Sequence, residues 1–373
     1  MPSAAEFRAE FPVLERLAYL NAGTEGPLPR RAAEAVNERL ELELTRGRAG
    51  AAYIETIFEL AGRLRDGYAR VLGADPTEVA LTGSTTDGVN SVLAGLALAP
   101  GDEIVTSDEE HPGVLAPLAR ARDRAGVNVR VVGFEELAGA VTASTRLVAC
   151  SHVSWVSGRV VDAAALAATG VPVLLDGAQG VGAVPVDVRA LGCAFYAGSG
   201  QKWLCGPEGA GCLYVRADLL DELSVPWPGY ISLADAADAL HSPPALHAAR
   251  FDLGFPPGVR SVWALASLEV LESAGWDWVH ERAASLAARA AVELSQRGLE
   301  VWPRGRSTLV SWRSPADDLD AEVARLAAAG FRVRSIPSRG LIRASVGAWS
   351  AEEELDRLAA TAAESQWPAA ESQ

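Results

Sequence analysis

The sequence predicts an α/β protein: a large domain on a mainly parallel, seven-stranded sheet, followed by a smaller C-terminal α/β domain. Three observations lead there. Seven short apolar runs, at 78–83, 102–107, 128–134, 146–151, 171–176, 193–198 and 211–216, alternate with segments of helical periodicity. Such alternation gives a mainly parallel sheet covered on both faces. Two long helices, 259–274 and 277–297, then lead into a second, shorter α/β series. The run VPVLLD, finally, breaks off at Asp176, with Gly177 to turn the chain. A carboxylate there sits at the carboxyl end of a buried strand, where open α/β sheets hold ligands.

In chain order, RRAAEAVNERLELEL and IETIFELAGRLRDGYARVL (between about residues 30 and 73) space their apolar side chains as helices do. Helices also fit DGVNSVLAGLAL and HPGVLAPLARARDRAG between the first strands. The stretch 225–258 is rich in Pro and Gly and weakly patterned, so it reads as a long active-site or interface excursion. The second series comprises TLVSWRS, a helix at 318–329, the strands FRVRSI and LIRASV, and a last helix from 350. The tail ESQWPAAESQ is expected to fray. The domain division expected is 20–250 for the large domain, with 1–19 and 251–373 forming the small one.

Composition narrows the class. A length of 373 residues accommodates two domains with a sizeable core. The net charge of −15, spread along the chain, speaks against nucleic acid or an anionic membrane as partner. Cys150, Cys193, Cys205 and Cys212 show neither CxxC nor metal-ligand spacing. They read as buried free thiols of a reducing compartment, and no metal site is expected. MPSAAEFRAEF lacks the character of a signal peptide and no apolar run could span a bilayer, so the expected location is cytoplasmic.

Lys202 is the only lysine among 33 basic residues. Arginine matches lysine in charge and reach, but it cannot supply a neutral amine for attack on a carbonyl. Codon bias could leave one lysine by chance; its surroundings argue otherwise. FYAGSGQKWLCGPEGAG, residues 195–211, holds no other basic residue and encloses Lys202 among Tyr196, Trp203 and Leu204. Such enclosure lowers an amine's pKa. GSTTDGVN, residues 83–90, follows a strand and opens a helix, offering hydroxyls and free amides to an anion. SDEEHPGV puts His111 just after another strand, at the same edge of the sheet. A lone Asp176 would be a turn residue, and a lone His111 a structural one. Together with the single lysine they form the pattern of a pyridoxal 5′-phosphate (PLP) site, in which an aspartate pairs with the pyridinium nitrogen.

With these motifs the chain resembles the fold-type I PLP enzymes of the class V aminotransferase and cysteine desulfurase superfamily. The resemblance runs from YLNAGTEGPLP (19–29) to LIRASVGAWSAEEELDRL (341–358). It implies that Lys202 carries the cofactor as a Schiff base and that Asp176 pairs with the ring nitrogen. It further implies that Gln179 bonds the phenolic oxygen, that His111 stacks on the ring, and that Thr85, Thr86, Ser199 and Gln201 hold the phosphate. Arg343 would fork the substrate α-carboxylate, as suits arginine. Desulfurases carry a persulfide-forming cysteine shortly before that arginine, whereas this chain reads FRVRSIPSRGLIRAS, with no cysteine after Cys212. NAG with GPLP, EHPGV, SHVSW, GQKW and the pair Arg334 and Arg343 make the chain more similar to the cysteine/cystine C–S lyase branch. Asn21, Trp155, Arg334 and Arg343 would then meet the substrate, with Tyr230 a further wall. Gln201 replaces the histidine usual in this family, and Phe255 lies near where a partner-subunit threonine usually reaches the phosphate. The resemblance implies a homodimer that converts an amino acid, by α,β-elimination of a cysteine-type substrate to pyruvate and ammonia. Transamination and epimerisation of the isopenicillin N epimerase type are the alternatives, ahead of desulfuration.

Overall fold

The computed structural model describes residues 2–252 and 254–364; residues 365–373, most of the tail expected to fray, lie outside the described residues. After β1 (Ala18–Tyr19), the seven predicted runs form β2 (Val79–Thr82), β3 (Glu103–Ser107), β4 (Asn128–Val132), β5 (Thr145–Ser151), β6 (Val173–Asp176), β7 (Phe195–Ser199) and β8 (Gly211–Val215). These seven make one sheet of order β2-β8-β7-β6-β5-β3-β4. The sheet is mixed: β8 runs antiparallel to both β2 and β7, and the other pairs are parallel. The reason is local. A parallel return needs a crossover of about a dozen residues or more, usually a helix, and the β7–β8 connection is a loop of tight turns.

Alternate residues of each strand feed the two faces. Val148, Cys150, Val173, Leu175 and Tyr196 belong to one core cluster, while Leu147, Ala149, Leu174, Phe195 and Ala197 belong to another. The first is covered by α3 (Ala51–Leu72) and α8 (Gly258–Ala274), the second by α4 (Thr85–Gly95) and α5 (Pro112–Ala125). Shorter or outlying helices complete this part: α1 (Ala4–Ala9), α2 (Arg30–Arg46), α6 (Ala163–Ala167) and α7 (Val188–Leu191). Because β2, β3, β5, β6 and β7 share one direction, their carboxyl ends and the N-termini of α4 and α5 gather at a single edge.

The C-terminal part packs α9 (Trp276–Gln296), α10 (Leu319–Ala328) and α11 (Glu352–Glu364) on a sheet of β9 (Leu309–Arg313), β11 (Arg334–Ile336) and β12 (Leu341–Ser345). Its order is β11-β12-β9, all antiparallel. The run FRVRSI is not one strand. Phe331 and Arg332 form β10, parallel to β1, and β11 begins only at Arg334. Its buried apolar residues, Phe331, Val333 and Ile336, break the period of two, so the chain changes sheets between them. The Arg8 guanidinium forks Glu354 of α11 at 2.5 and 3.0 Å, tying the N-terminal segment to this part. Among the described residues of 225–258, short 3-10 turns and an isolated bridge, Leu233–Pro244, precede α8, and Asp252 fastens the excursion to the sheet by a fork with Arg65 and a bond from Leu81 N.

Candidate active site

At the gathered edge β6 ends in Asp176, buried and opposite Ser151 of β5 and Ala197 of β7. Its Oδ1 accepts a 2.8 Å bond from Ala178 N. Burial raises the carboxyl's pKa, while Lys202 and that amide oppose the rise. Lys202 follows β7, and burial pulls its amine down to about 8, with Arg343 and Arg334 adding to the fall and Asp176 resisting it. His111 caps α5: its Nδ1 accepts from Gly113 N at 3.0 Å, which leaves the ring hydrogen on Nε2. Burial, then Lys202, Arg334 and Arg343, hold the imidazole down at about 4, so it is neutral. Its ring stands edge-on to Trp155, centroids 5.1 Å apart.

Ser84 caps α4, leaving the first-turn amides of Thr85 and Thr86 without helical partners. Thr85 Oγ1 and Ser199 Oγ meet at 2.7 Å, both buried. Gln179 is fixed from both ends, donating to Gly23 O at 2.7 Å and accepting from Trp203 Nε1 at 3.0 Å. One amide hydrogen of Gln179 remains. The turn that carries it lies on Tyr196, so closely that a Cβ on Gly177 would come within 2.1 Å of the ring. Gln201 lines a cavity of about 280 Å³ with Glu25, Glu208 and Trp263, and its Oε1 is buried without a partner. No hydrogen bond among the described residues joins it to Thr85, Thr86 or Ser199.

Across from Asp176, Arg343 is fully buried in β12 and donates Nη1 to Trp155 O at 2.6 Å. Among the described residues its Nε and Nη2 have no hydrogen-bond partner. These two atoms form the side-on edge that grips a carboxylate in two parallel bonds. Arg334 stands directly opposite on β11, its guanidinium 5.6 Å from the Trp155 ring. Like charges facing across a strand pair are unfavourable, and among the described residues neither arginine meets a carboxylate. Burial, and the neighbouring Arg334, pull Arg343 down to about 9.

Asn21 bridges to Ser345 through the backbone, and its Oδ1 accepts from Thr24 Oγ1 at 2.9 Å. Tyr230 is 71% exposed and is not brought to the site within this chain. Phe255, half exposed, packs edge-on against Phe58 at 5.5 Å. Sequence reasoning missed Gly23: a Cβ there would come within 2.8 Å of Arg343 Nη2 and 2.7 Å of Ser345 Oγ. It also missed Glu110, buried beside Asp176's neighbour Ser151 and bonded by Ser107 Oγ, Ser151 N and Ser151 Oγ at 2.5, 3.0 and 2.6 Å. Burial lifts that carboxyl to about 7.

Two demands are thus built into this edge. A buried carboxylate and a buried, easily neutralised amine require a basic aromatic nitrogen and a carbonyl, and an anion cradle stands at the start of α4. Those are the parts of pyridoxal 5′-phosphate, and they fit the groups that face them. The protein is an enzyme dependent on this cofactor. The profile of the aminotransferase class-V family matches residues 18–358, and the chain belongs to that family. It is 31% identical to isopenicillin N epimerase of Streptomyces clavuligerus, over 91% of this chain and 92% of that one. It is 30% identical to a cysteine desulfurase of Serratia proteamaculans, over 95% and 96%. Among solved structures, the cystine C–S lyase C-DES in complex with its reaction product cysteine persulfide superposes with a TM-score of 0.89 at 29% identity, over 95% and 99% of the chains. A C-DES variant with glycine covalently linked to its PLP cofactor gives 0.92 at 28%, over 98% and 100%.

Proposed function

We propose that this enzyme is a C–S lyase, which eliminates the β-sulfur substituent of a cysteine-type amino acid to give pyruvate and ammonia. The observation that carries the reading is the connection between β11 and β12, Pro337-Ser338-Arg339-Gly340, where a desulfurase would carry its sulfur-accepting cysteine. All four cysteines of this chain are buried free thiols. Burial raises each of them, which makes them poor nucleophiles. Similarity to C-DES supports the same reading.

In this reading Lys202 holds the cofactor, Thr85, Thr86, Ser199 and Gln201 its phosphate, and Gln179 its phenolic oxygen. The cofactor supplies an electron sink for charge developing at the substrate α-carbon. Asp176 holds a proton at the ring nitrogen, and neutral His111 covers the ring. Arg343 orients the substrate carboxylate through Nε and Nη2, with Arg334, Trp155 and Asn21 around it. Lys202 Nζ, freed once the substrate's own amine takes its place on the cofactor, would take the α-proton and return it at the sulfur or the carbon; its burial favours the neutral, basic form. A second reading, amino-acid epimerisation, rests on the Streptomyces relative; there the same amine would return the proton to the opposite face.

The reading extends to a homodimer: Leu44, Ile54, Phe58 and Phe255 give α2, α3 and the excursion an exposed apolar face. It also extends to a cytoplasmic location, and among the described residues no helix could cross a membrane. The proposed division, 20–250 against 1–19 with 251–373, needs α8 (Gly258–Ala274) moved to the large domain, since it packs into the core of the large sheet. The test is turnover of the holoenzyme with L-cystine, L-cysteine and cysteine S-conjugates, following pyruvate, ammonia and α-carbon configuration. Stoichiometric pyruvate supports the lyase. Alanine with persulfide, or racemisation without ammonia, would reject it.

A further inference from the structure

Residues 154–159 form a small loop at the seam between the large and small sheets. The loop closes on itself through Ser154 N to Arg159 O at 2.8 Å and Gly158 N to Ser154 O at 2.9 Å. From the small-sheet side, three of its carbonyls are held by side chains: Trp155 O by Arg343 Nη1, Val156 O by Ser311 Oγ at 2.5 Å and Gly158 O by Ser307 Oγ at 2.6 Å. From the large-sheet side Glu135 reaches Arg159 at 3.6 Å and His111 packs on Trp155, but the group that binds the loop's serines is a single carboxylate. Glu109, buried two residues before His111, accepts from both Ser154 Oγ and Ser157 Oγ, with Arg159 Nη1 3.7 Å from its other oxygen. Ser154 Oγ in turn accepts Val156 N and Ser157 N at 3.2 and 3.1 Å. The carboxylate therefore organises the loop by charge-assisted bonds, which are stronger than neutral ones.

The consequence lies at Arg343. Because the loop holds Trp155 O against Nη1, the guanidinium cannot turn that nitrogen toward the site. Its free edge is then the side-on pair Nε and Nη2. The same loop sets the Trp155 ring against His111 and under Arg334. We propose that Glu109 is a positioning residue for substrate-carboxylate recognition: it fixes the 154–159 loop, and through Trp155 O it sets which edge of Arg343 the substrate meets. The proposal rests on the carboxylate role given to Arg343 above, and it holds for lyase and epimerase alike.

The test uses two amines that differ by a carboxylate, glycine and methylamine, titrated into the holoenzyme and followed by cofactor absorbance and calorimetry. Glu109→Gln is expected to weaken glycine by on the order of ten-fold, the loss of one charged acceptor from the loop, and to leave methylamine and the cofactor spectrum unchanged. Ser157→Ala, which removes one donor without burying a new group, should reproduce the effect in part, and it carries the test if Glu109→Gln does not fold. Equal weakening of both amines would mark a merely structural role and overturn the proposal. Unchanged glycine discrimination in both variants would overturn it too. Arg343→Gln separates the layers. If it abolishes discrimination while the Glu109 and Ser157 variants do not, this proposal alone fails. If it preserves discrimination, the carboxylate role of Arg343 fails with it.

Discussion

Replacing Arg343 by methionine, similar in length and without charge, asks whether a buried cation is being kept for a ligand. An ordinary guanidinium titrates far into the alkaline range, and a depression as deep as that of Arg343 corresponds to roughly 5 kcal/mol. Arg343 is held down at about 9, chiefly by burial and further by Arg334. Roughly 5 kcal/mol is thus an upper bound on what its charge costs the substrate-free fold. Against this stands the bond to Trp155 O, about 1.5–3 kcal/mol as a charged hydrogen bond. Arg343→Met should therefore be as stable as the parent or more stable by about 1–3 kcal/mol, within the range seen when buried ions give way to apolar side chains. Substrate affinity should fall by about 2–5 kcal/mol, or about 30- to 5,000-fold, as for any truncated buried charge pair. Urea unfolding of the holoenzyme in a carboxylate-free buffer, paired with calorimetric titration of substrate, measures both terms. Added acetate should stabilise the parent and not the variant. A variant that is less stable by more than about 1 kcal/mol and binds substrate normally would refute the argument.

Borohydride reduction of the holoenzyme should fix cofactor at one site, since Lys202 is the only lysine; any labelling of Lys202→Arg by peptide mapping would sink its assignment. The rate at which apoprotein takes up pyridoxal 5′-phosphate should climb as pH rises through about 8, where the Lys202 amine loses its proton, and a rise delayed to the range of a solvent-exposed lysine would contradict its burial. Gly23→Ala should raise KM for amino-acid substrates, since its methyl group would fall 2.8 Å from Arg343 Nη2, and, because that group would also fall 3.0 Å from Gln179 Oε1, weaken cofactor binding to a smaller extent. Steady-state kinetics beside cofactor titration would separate the two effects.

The seven strands of the large sheet were legible because each is a short apolar run bounded by turn residues. Lys202 and Asp176 stood out because their chemistry is rare where they occur: one amine in the chain, and one carboxylate ending a buried strand. The direction of β8 was not legible, since strand polarity depends on whether the β7–β8 loop holds a helix, and the glycine-rich GSGQKWLCGPEGAG looks alike in either case. FRVRSI misled because Arg332 and Arg334 look like the polar side of one strand, whereas a break in the buried positions sends its halves to different sheets. Nothing in the sequence SDEEHPGV distinguishes Glu109 and Glu110 from surface carboxylates. Only the fold shows that the serines of β3, β5 and the 154–159 loop converge on them. Gly23 carries no signal of its own, because what it makes room for comes from a strand more than 300 residues away.

In the proposed reading, charge distribution would favour small amino acids that present a carboxylate. The chain as a whole carries −15, which repels polyanions at a distance. Within the site the balance is reversed. Arg343 at about 9 and Lys202 at about 8 are largely protonated at pH 7, Arg334 stands beside them, and Asp176 is the anion opposed to them. Glu110, at about 7, adds only part of a charge. A cationic recess in an acidic surface focuses small anions while the exterior excludes large ones. The cofactor phosphate and the substrate carboxylate each bring the charge the recess lacks. If Arg343 receives the substrate carboxylate as proposed, an amine without one would leave that guanidinium without its partner, and the site should discriminate against it before any chemistry begins.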